Sequence, residues 1–99
     1  MLRHVVVWTF HEHAEGRTRT ENVAEARRLL GRCAGIDGVR RYEVGVDELA
    51  SAASAHLALV ADFDDWDAYR AYVVHPDHEA LKAFLAGVRD TVQMVDYEW

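Results

Sequence analysis

A chain of 99 residues with 51% hydrophobic content can bury one core and not two. Its formal charge of −6, with no basic cluster to override it, excludes a nucleic-acid binder that gains affinity by neutralising phosphates. The lone cysteine, Cys33, excludes an internal disulfide and a cysteine zinc knuckle, and no apolar run is long enough to span a bilayer.

Residues 2–10, rich in β-branched and aromatic side chains, predict a strand. The run lacks the basic, apolar and small-residue zones of a signal peptide, so a cytoplasmic protein is expected. Alternation puts His4, Val6, Trp8 and Phe10 on one face and Arg3, Val5, Val7 and Thr9 on the other. Both faces have apolar centres, which predicts helices over one and a second subunit over the other. His11 to Thr20 is polar and reads as a loop. Thr18 with Glu21 fits a capping box, and Val23, Ala26, Leu30, Cys33 and Ala34 then recur at helical spacing. Gly35 is the expected C-terminal cap, opening a turn that runs to Gly38.

Val39 to Val46 predicts a second strand, with Tyr42, Val44 and Val46 on one face. Asp47 to Ser54 reads as a loop. Ala55 to Phe63 predicts a third strand, in which Leu57, Leu59, Ala61 and Phe63 oppose His56, Ala58, Val60 and Asp62. Asp64 and Asp65 are candidate caps for a helix carrying Trp66, Tyr69, Tyr72 and Val73. Pro76 pushes His75 out of the helical region and suits the first position of a new helix, whose apolar stripe is Leu81, Phe84, Leu85 and Val88. Thr91 to Trp99 predicts a closing strand, with Val92 and Met94 against Gln93, Val95, Tyr97 and Trp99. The order β-α-β-β-α-β is the split βαβ arrangement. It predicts one α+β, ferredoxin-like domain over residues 1–99, with a four-stranded antiparallel sheet whose outer face pairs with that of a second copy.

The segment Tyr72-Val73-Val74-His75-Pro76-Asp77-His78 gathers a phenol and two imidazoles around an enforced helix break. His75 suits a capping role. In an unbroken helix Tyr72 and His78 would point roughly opposite ways, so the bend is what could bring them to one cavity. His75 and His78 with Asp77, and the His11-Glu12-His13 cluster, each fall short of the convergent ligands of a zinc site. No metal or organic cofactor is expected. Trp8, Trp66 and Trp99 read as core and interface rather than as a flavin or haem platform.

Several pieces resemble the stress-responsive α/β-barrel (Dabb) family of dimeric α+β barrels. They are residues 3–10, Tyr42-Glu43-Val44-Gly45, Leu57-Ala58-Leu59-Val60 leading to Phe63-Asp64, Ala71 through His78, and Val95-Asp96-Tyr97. They occur in order over nearly the full length. The resemblance implies a homodimer. Through the plant polyketide (olivetolic acid) cyclase subset it implies intramolecular aldol cyclisation of a small hydrophobic or poly-carbonyl molecule, without cofactor. The catalytic tyrosine and histidine of that pattern fall on Tyr72 and His78, and its cavity histidines on His4 and His56. Trp8, on the face of His4, completes the candidate substrate-binding set. A tyrosine from the first helix of the cyclases has no counterpart, since that region reads Ala24-Glu25-Ala26, and Asp37 replaces the family's usual proline.

Aldol closure needs a base for an acidic proton between carbonyls and a donor for the developing oxyanion. His78, near a helix N-terminus, suits the base, because the helix dipole disfavours imidazolium; Asp77 and Glu79 oppose this. Tyr72 suits the donor. Strands one and three are expected to be antiparallel neighbours, which puts His4 and His56 near opposite ends, so that both can face the helix-side cavity without touching. A cofactor-free monooxygenase of the same superfamily and a non-catalytic stress-associated dimer are the other readings. An apolar cavity holding Tyr72, His78 and a strand histidine favours the enzymes.

Overall fold

The computed structural model covers residues 1–99. Strand β1 spans Leu2–Phe10 and alternates as expected: Leu2, His4, Val6, Trp8 and Phe10 are buried, while the residues between them are more exposed. It lies at the centre of a four-stranded antiparallel sheet of order β4-β5-β1-β6, where β4 is Val39–Val46, β5 is Leu57–Phe63 and β6 is Arg89–Glu98. The pairings place His4 between Ala61 of β5 and Asp96 of β6, and Val6 between Leu59 and Met94. Three helices cover one face: α1 (Arg19–Cys33), α2 (Trp66–Val73) and α3 (Pro76–Val88). This is the expected ferredoxin-like fold.

The segment His11 to Thr20 departs from the expected loop. It forms a small hairpin, β2 (His13–Ala14) with β3 (Arg17–Thr18). Its tight turn needs positive φ at both central residues, supplied by Glu15 (54°) and Gly16 (74°). The capping box forms as expected: Thr18 Oγ1 accepts the Glu21 amide at 3.3 Å, and the Glu21 carboxylate accepts the Thr18 amide at 3.0 Å. Val23, Ala26, Leu30 and Cys33 of α1 are buried, joined by Leu29 and Asn22, but Ala34 is an exposed C-cap. Gly35 does not take the left-handed conformation; Gly38 does, at φ 91°, where its bare Cα faces Ala68. α3 runs into β6 without a loop, so β6 starts two residues before its expected first residue, Thr91.

The joint between α2 and α3 is specified locally. Asp65 caps α2 by accepting the Ala68 amide at 2.9 Å. His75 caps α3 by accepting the Asp77 amide on Nδ1 at 3.0 Å, with Pro76 at the first helical position. Between the helices and the sheet, Phe63 packs edge-on against Tyr69 and Tyr72 at centroid distances of 5.5 and 4.8 Å. Such pairs contribute about 0.5–1.5 kcal/mol each beyond buried area.

Candidate functional site

Tyr72 lies in the last turn of α2 and His78 is the third residue of α3, and the break between them brings their rings to 4.7 Å at an interplanar angle of 52°. His78 Nδ1 lies 3.0 Å from the carbonyl oxygen of Val73. A carbonyl only accepts, so Nδ1 carries the hydrogen and Nε2 keeps its lone pair. Burial lowers the His78 pKa below the usual histidine value, with His4 and Lys82 acting the same way. The Val73 carbonyl and Glu79 oppose that shift. Burial, rather than the helix dipole expected from sequence, is the leading cause. His78 is thus a neutral imidazole at pH 7 with one basic nitrogen.

Tyr72, almost fully buried, shares a 2.7 Å hydrogen bond with the Tyr42 hydroxyl of β4. Desolvation raises both phenol pKa values, so both side chains stay protonated and able to donate. If Tyr42 donates to Tyr72, the Tyr72 hydrogen is released for another acceptor.

His4 reaches the same region from β1. Its Nδ1–H donates to the Asp96 carboxylate directly across the β1–β6 pairing, and its ring packs on Tyr69 at 5.2 Å. That bond leaves Nε2 as the free nitrogen. Sequence reasoning missed Asp96 and Tyr42. The available signal for Asp96 was its position, two residues beyond Met94, on the helix-side face of β6. For Tyr42 it was a hydroxyl on a face otherwise made of Val44 and Val46.

His4, Tyr72 and His78 line one predominantly apolar cavity of about 360 Å³ between sheet and helices, with Tyr42 and Asp96 bonded to them from outside its lining. His4, Tyr69, Tyr72 and His78 supply its polar groups, Lys82 and Arg89 its charges, and Trp8, Leu59, Leu81 and Met94 part of its apolar wall. His56, the other candidate cavity histidine, does not line this cavity. Although its strand neighbours β1, His56 precedes β5 beyond the Trp8–Leu57 pairing, and it opens into a separate cleft against α1. His75 is occupied as the α3 cap, and no three His, Cys, Asp or Glu side chains converge to hold a metal ion.

The sequence pattern of the Stress responsive A/B Barrel Domain matches residues 2–99. The chain belongs to that family. A Dabb family protein with a ferredoxin-like fold from Mesorhizobium loti is 26% identical, with 99% of this chain and 95% of that one covered at a TM-score of 0.72. A dimeric ferredoxin-like protein of unknown function from Thermobifida fusca is 28% identical, covering 99% and 90% at a TM-score of 0.85. An antibiotic biosynthesis monooxygenase shares the fold at 14% identity, covering 100% and 98% at a TM-score of 0.74. Comparison with curated proteins gives no match. No helix of this Dabb protein is long and apolar enough to cross a membrane.

Proposed function

We propose that this Dabb protein is a cofactor-independent acid–base enzyme that closes a small poly-carbonyl substrate by intramolecular aldol addition, like the plant cyclases of the family. The observation that carries the proposal is the neutral, single-base His78 beside Tyr72 in an apolar cavity. His78 Nε2 takes a proton from the carbon between two carbonyls, leaving an enolate. The enolate carbon attacks a distal carbonyl carbon, forming the ring bond and moving the carbonyl electron pair onto oxygen. Tyr72, backed by Tyr42, donates to that oxyanion, and the imidazolium of His78 returns the proton to it. Trp8 and its neighbours hold the apolar part of the substrate, and His4, oriented by Asp96, orients its polar part.

The chain acts as a homodimer in this proposal. Val7, Val95, Tyr97 and Trp99 stand exposed on the face of the sheet away from the helices, with Val5 and Val60 partly exposed among them. A second copy of that face is the complementary cover, consistent with the dimeric relative from Thermobifida fusca.

The test is incubation with a linear poly-β-keto acid or thioester, following cyclised product by chromatography and dissolved oxygen by electrode. Product should form without oxygen uptake, and His78→Gln should slow it by about 10²-fold or more. A product distribution equal to the protein-free control removes the cyclase proposal. Oxygen consumption on a reduced quinol or anthrone would point instead to a cofactor-free monooxygenase.

A further inference from the structure

A cleft of about 640 Å³ shares no residue with the Tyr72–His78 cavity. It lies between the first turns of α1, the end of β4, the β4–β5 loop and His56. In a chain of charge −6 its lining is unusual: Arg19 and Arg27 against a single carboxylate, Asp47. Five other arginines, Arg3, Arg28, Arg40, Arg41 and Arg70, are each paired with an acid. Neither cleft arginine is.

Arg19 is nevertheless held in place. Its Nε donates to the Phe10 carbonyl at 3.0 Å, which fixes the guanidinium plane and leaves both terminal nitrogens without a protein acceptor. The neighbouring amide of Phe10 donates to His56 Nδ1 at 2.9 Å. His56 must therefore carry its hydrogen on Nε2, the opposite tautomer to His78, and that N–H also has no acceptor in the protein. Burial and Arg19 lower the His56 pKa while Asp47 raises it, so the ring is a neutral donor with both charges beside it. One oxygen of Asp47 is already taken by the Ala50 amide at 2.8 Å. Val23 and Val46 supply an apolar wall.

We propose that this cleft is a second binding site, for a small organic carboxylate with a short apolar tail. Two guanidiniums and the His56 Nε2–H are the donors for the carboxylate, and Val23 with Val46 receives the tail. Two arginines against Asp47 leave one positive charge, which a monoanion neutralises and a phosphate dianion would exceed. The site stands apart from the proposed cyclase cavity and survives the failure of that proposal.

The test uses hexanoate, hexanamide and inorganic phosphate, titrated into ¹⁵N-labelled full-length protein and followed by NMR. Hexanoate should shift the Arg19 Nε–H and His56 side-chain signals saturably, and hexanamide should bind at least about tenfold more weakly. Arg27 is exposed and makes no bond, so Arg27→Glu and Arg27→Gln should keep the rest of the spectrum while weakening hexanoate by about tenfold or more. The proposal is overturned by an absence of saturation, by equal binding of hexanamide, by insensitivity to both Arg27 variants, or by shifts centred on Tyr72 and His78. Tighter saturation of the same signals by inorganic phosphate would overturn the assignment to a carboxylate.

Discussion

Removing the hydroxyl of the more exposed tyrosine of the Tyr42–Tyr72 pair should cost more stability than removing that of the buried one. The two oxygens stand 2.7 Å apart, an ideal separation. In Tyr72→Phe the fold loses one hydrogen bond, worth about 1 kcal/mol net. The Tyr42 hydroxyl left behind is only partly buried and lies beside the Cys33 thiol, which offers another partner. In Tyr42→Phe the same bond is lost, but the orphan is now the hydroxyl of Tyr72, whose side chain is 1% exposed. An unsatisfied buried polar group adds about 1–3 kcal/mol, so Tyr42→Phe should cost about 2–4 kcal/mol against about 1 for Tyr72→Phe. The double variant strands nothing and should cost less than the sum, with a coupling of about 1 kcal/mol or more. Urea unfolding of the four proteins at pH 7.5 measures the cycle. Additive effects, or Tyr72→Phe as the costlier single change, would refute the hydrogen-bond assignment and the donor relay built on it.

Stability should also fall as the solution is acidified from pH 7 to 5. His78 and His56 have folded pKa values below the ordinary 6.5, so the unfolded chain binds more protons in that window. Their contribution is complete above the ordinary value and is lost as pH falls through the folded values; urea titrations of His78→Gln should show a shallower slope. Asp62, held low chiefly by its two hydrogen bonds to Arg3, gives stability that is complete above about pH 4 and lost on further acidification. Asp62→Asn should cost about 2 kcal/mol at neutral pH, and an unchanged urea midpoint would sink that account. Gly38→Ala should destabilise by about 3 kcal/mol, because a Cβ there would meet that of Ala68 at 2.6 Å with φ at 91°. A thermal melt within a degree of the parent would contradict it.

The sheet and helices were legible because each announces itself locally. Alternation in Leu2–Phe10 and Leu57–Phe63, the Thr18–Glu21 box and the His75-Pro76 break all act over a few residues. The β2–β3 hairpin was not, since two-residue strands show no period and its turn puts a glutamate at positive φ. Within the site, Tyr72 and His78 were visible because the break that joins them lies between them. Asp96 was not, because its meeting with His4 depends on a register linking the two ends of the chain. The placement of His56 turned on where β5 begins, at Leu57 rather than Ala55. Those two residues leave His56 at the strand's mouth, among α1 side chains.

The opposite tautomers of His78 and His56 give one proton two different mechanical meanings. A proton arriving at His78 Nε2 finds Nδ1–H already bonded to Val73, so the ring can charge and discharge while the α2–α3 joint keeps its clip. A proton arriving at His56 must occupy Nδ1, where the Phe10 amide now binds, and that amide has to let go. The first histidine can take up and release a proton without moving the scaffold. The second gives up its bond to the Phe10 amide when it charges, while its own amide stays bonded to the Trp8 carbonyl at 2.9 Å.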